Sequence, residues 1–342
     1  MEMNTSPPSR RERREADAAG PTRGPGRAGR RRPVEKPDGT PPVPAVEEAA
    51  ASQDPASRPA TSRAARKQPA AGPGRAGRNL PAAIGVGVGL GAVIVASLFI
   101  RKEAFLAVAV LAACTGVWEL SHGLSAGRIR VPLLPSVVGA ATMVMAAYKG
   151  GGQALTVAFG LTCVAVLLWR VADGLDDAMR DIAGGIFVAA YVPLLAGFAS
   201  LMLAEPDGPW RIFVFVLLTV CSDVGGYAVG VVLGKHPMAP SVSPKKSWEG
   251  FAGSTLFCVV GGILGVTLAL HAAWWVGVLL GLAAVATATL GDLTESMIKR
   301  DLGIKDMGNL LPGHGGVMDR LDSLLLVAPV VWALLTAFVP AH

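Results

Sequence analysis

Three aspartates stand where an apolar sequence gives them no obvious structural duty. Asp223 interrupts an apolar run in C-S-D-V-G-G-Y, Asp292 lies in G-D-L-T-E-S-M-I-K-R, and Asp319 begins D-R-L-D-S just before the last apolar run. Around them the chain supplies Lys245 and Lys246 between Ser243 and Ser247, then Lys299, Arg300, Lys305 and Arg320. Oxygen ligands from separate segments suit Mg²⁺, which takes one or two protein carboxylates and completes its shell with water and phosphate oxygens. The basic groups suit a polyphosphate. Phosphoryl and nucleotidyl transfer need mainly alignment and charge neutralisation, and this set supplies both. The chain has no G-x-x-x-x-G-K-[ST] loop, which excludes a P-loop nucleotidase.

The spacing places these groups in two segments, 222–250 and 291–323. In the first, the prolines of K-H-P-M-A-P-S-V-S-P-K-K-S-W-E-G rule out a continuous helix, so Ser243, Lys245 and Lys246 are expected on a loop as phosphate binders. In the second, Asp292, Glu295, Ser296 and Lys299 fall on one helical face. Pro312, Gly313, Gly315 and Gly316 then make a turn able to aim backbone N–H groups at an anion. His314, at its apex, either donates a hydrogen bond to a bound phosphate or stabilises the turn. Plainer readings stand beside these. Asp223 has the alternative of being satisfied by a neighbouring helix, and a basic loop at a membrane edge also serves topology. The Gly226, Gly230, Gly234 stripe is most simply a helix contact, and Cys114, Cys163, Cys221 and Cys258 lie singly in apolar runs as packing residues.

The elements that must position these groups are membrane spans. Of 342 residues, 51% are hydrophobic and only 16% charged. Apolar runs near the ~20 residues needed to cross a bilayer recur from Leu80 onward. About nine are expected, at 80–100, 104–120, 131–148, 154–169, 182–204, 212–233, 251–270, 272–290 and 324–339. The fold class is therefore all-α, a polytopic integral membrane protein, with residues 80–342 as the catalytic domain. Residues 1–79 hold sixteen Lys and Arg against nine acidic residues, are rich in Pro, Gly and Ala, and are expected to be a disordered basic tail. The remainder is close to neutral, which argues against nucleic acid as a partner and for the lipid bilayer.

With the tail in the cytoplasm, the inside connections carry Arg128, Arg130, Arg170, Arg180, Lys235, Lys245, Lys246, Lys299, Arg300, Lys305 and Arg320. The outside ones carry only Arg101, Lys102, Lys149 and Arg211. That is the asymmetry of the positive-inside rule, and it puts both polar segments on the cytosolic side of the cell (plasma or inner) membrane. A transporter would also use polar residues within spans, but these charges gather at one face instead of the midplane, Asp223 excepted.

The stretch S-M-I-K-R-D-L-G-I-K-D-M-G-N-L-L-P-G-H-G-G-V-M-D-R-L-D, residues 296–322, resembles the signature of the phosphatidate cytidylyltransferase (CDP-diacylglycerol synthase) family. S-D-V-G-G-Y and G-K-H-P-M-A-P-S-V-S-P-K-K-S-W-E-G, within 222–250, resemble its second block, and Trp118-Glu119 echoes an early W-E pair. The resemblance implies that CTP and phosphatidate give CDP-diacylglycerol and pyrophosphate in a Mg²⁺-dependent, typically homodimeric, all-helical membrane enzyme. It further implies that Asp292 and Asp319 hold the metal centre, with a monovalent cation such as K⁺ beside Mg²⁺ in some members. Asp292, Asp319, Lys299, Arg300 and His314 are then the expected catalytic residues, and Asp223 is a further candidate metal ligand. Ser243, Lys245, Lys246, Lys305, Gly315, Gly316 and Arg320 are expected on the substrate phosphates. Val231 departs from the pattern, standing where the family has a basic residue, so another basic group must substitute. CTP, and phosphatidate in preference to an isoprenoid ether analogue, come from the resemblance alone.

Overall fold

Within a bilayer every backbone N–H and C=O must be satisfied inside its own segment, so apolar runs of this length have to be helices. The computed structural model describes residues 80–341 except 175, 309 and 311–314. The expected tail at 1–79 and His314 both lie outside the described residues. The helices are α1 (Leu80–Ile100), α2 (Lys102–Ala126), α3 (Leu133–Asp173), α4 (Ala178–Ala189), α5 (Leu195–Ala204), α6 (Gly208–Leu233), α7 (Trp248–Ala269), α8 (Trp274–Asp301) and α9 (Met318–Phe338). A π-helical turn, Ala190–Leu194, joins α4 to α5 around Pro193, which has no N–H to give to a regular helix.

Among the described residues, seven helices are long and apolar enough to cross a membrane, with α4 through α5 counting as one. The expected third and fourth runs, 131–148 and 154–169, are the two arms of α3. It folds back at Gly151, whose φ of 68° and ψ of −162° break the helix. A Cβ on Gly139 would sit 2.3 Å from the Thr162 side chain, so the two arms of α3 pack antiparallel. Residues 237–247, expected as loop, contain a short hairpin: β1 (Pro237–Ala239) pairs antiparallel with β2 (Ser243–Ser247). The all-helical expectation thus acquires one small exception, because prolines at 237, 240 and 244 forbid a helix while leaving a short irregular ladder possible.

The two ends of the bundle are tied separately. At one end, the Lys102 ammonium donates to the carbonyls of Glu205 and Pro206, Arg211 donates to the Val339 carbonyl, and Trp275 meets Phe338 edge-on. At the other, Arg170 pairs with Asp181 at 2.9 Å, the Arg130 N–H donates to the same carboxylate, and a Cβ on Gly127 would touch Leu302. The arms of α3 run between these ends, which puts Lys149 at the first and Arg130 and Arg170 at the second. The structure therefore sorts the basic residues into the two groups expected from their order in sequence.

Helices α6 to α9 approach one another through glycine. A Cβ on Gly277 would lie 2.5 Å from the Gly262 carbonyl oxygen, and one on Gly281 would lie 2.6 Å from that of Cys258. Backbone cannot yield as a flexible side chain can, so overpacking here costs about 1–3 kcal/mol or more. Gly277→Val should lower the unfolding temperature of the detergent-purified protein. Gly160→Ala, where a methyl would meet nothing within 4 Å, should leave it unchanged.

Candidate active site

The first half of the site is a cavity of about 320 Å³ walled by α6, the hairpin, α7 and α8. Ser222, Asp223 and Gly226 come from α6, Ser243, Lys245 and Lys246 from the hairpin, Ser254 from α7, and Thr289 and Asp292 from α8. The hairpin is held in place by its own sequence. Ser247 caps α7 by accepting from the Gly250 N–H at 3.1 Å. Glu249 accepts from the N–H groups of Lys235 and His236 and meets His236 Nδ1 at 2.5 Å, fixing the start of the connection to its end. Gly226 lies against Ser254 Oγ, whose hydroxyl donates to the Ser222 carbonyl at 2.6 Å, so α6 and α7 close tightly behind the cavity. The Lys246 ammonium then reaches across to Asp292, linking hairpin to α8. Asp223 opens into the same cavity and lies within the electrostatic reach of Asp292, Lys246 and Arg320.

The second half lies between α8 and α9. Lys299 bridges Glu295 at 2.5 Å and Asp319 at 2.6 Å, joining the two helices through one ammonium. Asp319 also accepts from the Gly316 N–H at 2.7 Å and the Met307 N–H at 3.3 Å, so it anchors both sides of the connection between the helices. Glu119, buried in α2, accepts from the Met318 N–H at 2.7 Å and so caps α9 from a distant helix. Gly291 lets α8 and α9 touch: a Cβ there would be 2.4 Å from the Asp322 carbonyl oxygen. Asp322 meets the Glu295 side chain and lies in the field of Asp292, which connects the two halves.

Five carboxylates, from Asp223, Asp292, Glu295, Asp319 and Asp322, therefore gather around Lys246, Lys299 and Arg320. Among the described residues no three His, Cys, Asp or Glu side chains form a ready-made metal cage. Mg²⁺ needs none, since one or two carboxylates, water and substrate phosphates complete its shell. The surplus of negative charge fits a hydrated divalent cation and, beside it, the lysines fit phosphate oxygens.

Residues 81–338 match the sequence profile of the Cytidylyltransferase family. The chain belongs to that family. Among curated cytidylyltransferases it is 41% identical over 274 residues to the "Phosphatidate cytidylyltransferase" of Mycobacterium leprae (strain TN), covering 75% of this chain and 88% of the relative. A protein of the same name from Mycobacterium tuberculosis (strain ATCC 25618 / H37Rv) is 39% identical over 271 residues, 75% of this chain and 83% of its own. One from Brucella suis biovar 1 (strain 1330) is 36% identical over 187 residues, 53% and 65% of the two chains.

Within this cytidylyltransferase, the structure brings Asp223, Asp292, Ser243, Lys245 and Lys246 to one cavity. Asp319 and Lys299 stand apart from that cavity, engaged with each other, and the Gly316 N–H expected to face an anion is used by Asp319. Gly315, at a φ of 79°, sits against the Asp319 carboxylate, where a Cβ would lie 2.7 Å from Oδ2. Arg300, Lys305 and Arg320 are exposed at the same end. Val231 is exposed on α6 and does not wall the cavity, whose basic groups are Lys245 and Lys246.

Sequence reasoning passed over Glu295 and Asp322 as site residues, and it noted Glu119 only as part of a pair. A signal was present: Glu295 follows Asp292, and Asp322 follows Asp319, by three residues, so each helix presents two acids on one face. Removing the ammonium that bridges them should leave two largely buried carboxylates uncompensated, a cost on the order of 3 kcal/mol. Lys299→Met should therefore unfold at clearly lower temperature in detergent than the parent protein, while Arg300→Gln at an exposed position should not.

Proposed function

We propose that this chain transfers the cytidylyl group of CTP to phosphatidate, giving CDP-diacylglycerol and pyrophosphate, at the cavity walled by Asp223, Lys245, Lys246 and Asp292. Its relatives are named for that reaction. The observation that carries the reading is a lysine-bearing hairpin meeting carboxylates set inside the spans, at one end of a membrane bundle. A lipid phosphate held at the bilayer surface and a nucleotide arriving from water need such a meeting place.

In this reading an anionic oxygen of phosphatidate attacks the α-phosphorus of CTP. The bond from that phosphorus to the oxygen bridging the β-phosphate breaks, and pyrophosphate leaves with the electron pair. No proton has to move, so no general base is needed. Ser243, Lys245 and Lys246 bind phosphate oxygens, with Lys246 exchanging its contact with Asp292 for one with substrate. Lys299 holds Asp319 in position, and Arg300, Lys305 and Arg320 raise the local concentration of the anionic nucleotide. Asp292 and Asp319, with Asp223 nearby, would hold Mg²⁺, which supplies neutralisation of the phosphates when bound. Lys246 and Asp292 are only about a quarter exposed, so their charges act in a medium of lower dielectric constant than bulk water.

The resemblance further implies a homodimer in the cell membrane with tail and site on the cytoplasmic side. The gathering of basic groups at the site's end supports that orientation. Asp292→Asn should cut formation of lipid-linked cytidylate from CTP and phosphatidate by at least ~100-fold, on the scale of losing one charged partner of a transition state. Radiolabelled CTP and thin-layer separation of the lipid product measure it, and full activity in the variant would overturn the assignment.

A further inference from the structure

A two-stranded hairpin is marginal by itself in water, so the place of the one that carries Ser243, Lys245 and Lys246 depends on what holds its base. Its ladder is irregular between Pro237 and Ala239, and Met238, Lys245 and Lys246 line the cavity. The ties at the base converge on His236. Its backbone N–H donates to Glu249 Oε2 at 3.2 Å, its carbonyl accepts from the Trp248 N–H at 3.0 Å, and its ring Nδ1 meets Glu249 Oε1 at 2.5 Å. The Lys235 N–H gives Oε2 a second donor at 3.1 Å. An ionised carboxylate can only accept, so Nδ1 carries the proton in this contact.

Glu249 lies in the first turn of α7, so these bonds fasten the start of β1 to the helix that follows β2. The lysines are placed from there over a short distance. Ser247 stands opposite Pro237 in the ladder, and Lys245 and Lys246 immediately precede it. Neither His236 nor Glu249 is among the described residues walling the cavity, and the His236 side chain is 77% exposed. The imidazole therefore touches the frame of the site and not its contents. In the reaction proposed above, Lys246 leaves Asp292 for a phosphate, so one tie between hairpin and bundle is given up as substrate binds. The contact between His236 and Glu249 is untouched by that exchange.

We infer that His236 is a positioning residue for the nucleotide: its Nδ1–H, held by Glu249, keeps the hairpin in the arrangement that presents Lys245 and Lys246 to the phosphates of CTP. The inference rests on the CTP-dependent reading given above. Without the ring contact the hairpin samples other positions and binding must select the competent one. Apparent affinity then falls with the competent fraction, while turnover of the bound complex is kept.

The test uses full-length protein in detergent, assayed with phosphatidate, Mg²⁺ and varied CTP, and separately exposed to trypsin without substrate. His236→Ala should raise KM for CTP about tenfold with kcat within about twofold, the scale of losing one hydrogen bond to a charged group. Trypsin cleavage after Lys246, read from the fragment that begins at Ser247, should quicken by a similar factor, because cleavage follows the population of the open form. Asn can place its amide nitrogen where His places Nδ1, whereas Gln places it where His has Nε2. His236→Asn should therefore return both values toward those of the parent, and His236→Gln should behave like the alanine variant. Parental KM and cleavage in His236→Ala, a fall in kcat at unchanged KM, or matching behaviour of the Asn and Gln variants would overturn the inference. A parent protein that makes no lipid-linked product from CTP would overturn the underlying reading instead, and the cleavage comparison would still decide whether His236 holds the hairpin.

Discussion

One ammonium group joins three parts of this architecture. Lys299 stands between Glu295 on its own helix and Asp319 on the next, and Asp319 in turn holds the backbone of Met307 and Gly316. Charges at the end of a helical bundle in a bilayer are tolerated only where they are paired or open to water. The pairing here does both jobs at once. It neutralises two carboxylates and ties α9 to α8, which keeps Asp322 within the field of Asp292. Lys246 does the corresponding work for the hairpin, alongside Glu249 and Ser247.

These ion pairs can form because the helices carrying them come unusually near each other. Gly291 against Asp322, Gly277 against Gly262 and Gly226 against Ser254 are contacts that a methyl group would prevent. In lipid there is little hydrophobic gain in pressing one apolar helix on another, so small residues that permit broad van der Waals contact take over that role. The site is thus built on a rigid quartet, α6 to α9, to which α2 contributes a single buried carboxylate, Glu119.

Much of this was legible in the residues. Apolar runs gave the helices, and the sign of the charges gave the two ends, because both depend on composition along short stretches. The cavity residues Asp223, Lys245, Lys246 and Asp292 were picked out by being polar where polarity is costly. Less legible was how those groups divide. Asp292 and Asp319 looked equivalent in sequence, yet one opens to a cavity and the other is enclosed by Lys299 and two backbone donors. Glu119 lies 199 residues from the N–H it caps, a pairing that no local pattern announces. The fold of α3 at Gly151 was legible, by contrast, because K-G-G-G-Q separates the runs expected at 131–148 and 154–169.

The proposed reaction requires the phosphates of CTP to lie in the cavity walled by Asp223, Lys245, Lys246 and Asp292. The most direct measurement is an experimental structure of the protein in lipid nanodiscs with Mg²⁺ and a CTP analogue that cannot release pyrophosphate. The account predicts phosphate density within hydrogen-bonding distance of the Lys246 ammonium and the hairpin. Phosphates bound away from the α6–α9 quartet, for instance among Arg130, Trp169 and Arg170 at the neighbouring cavity, would contradict it.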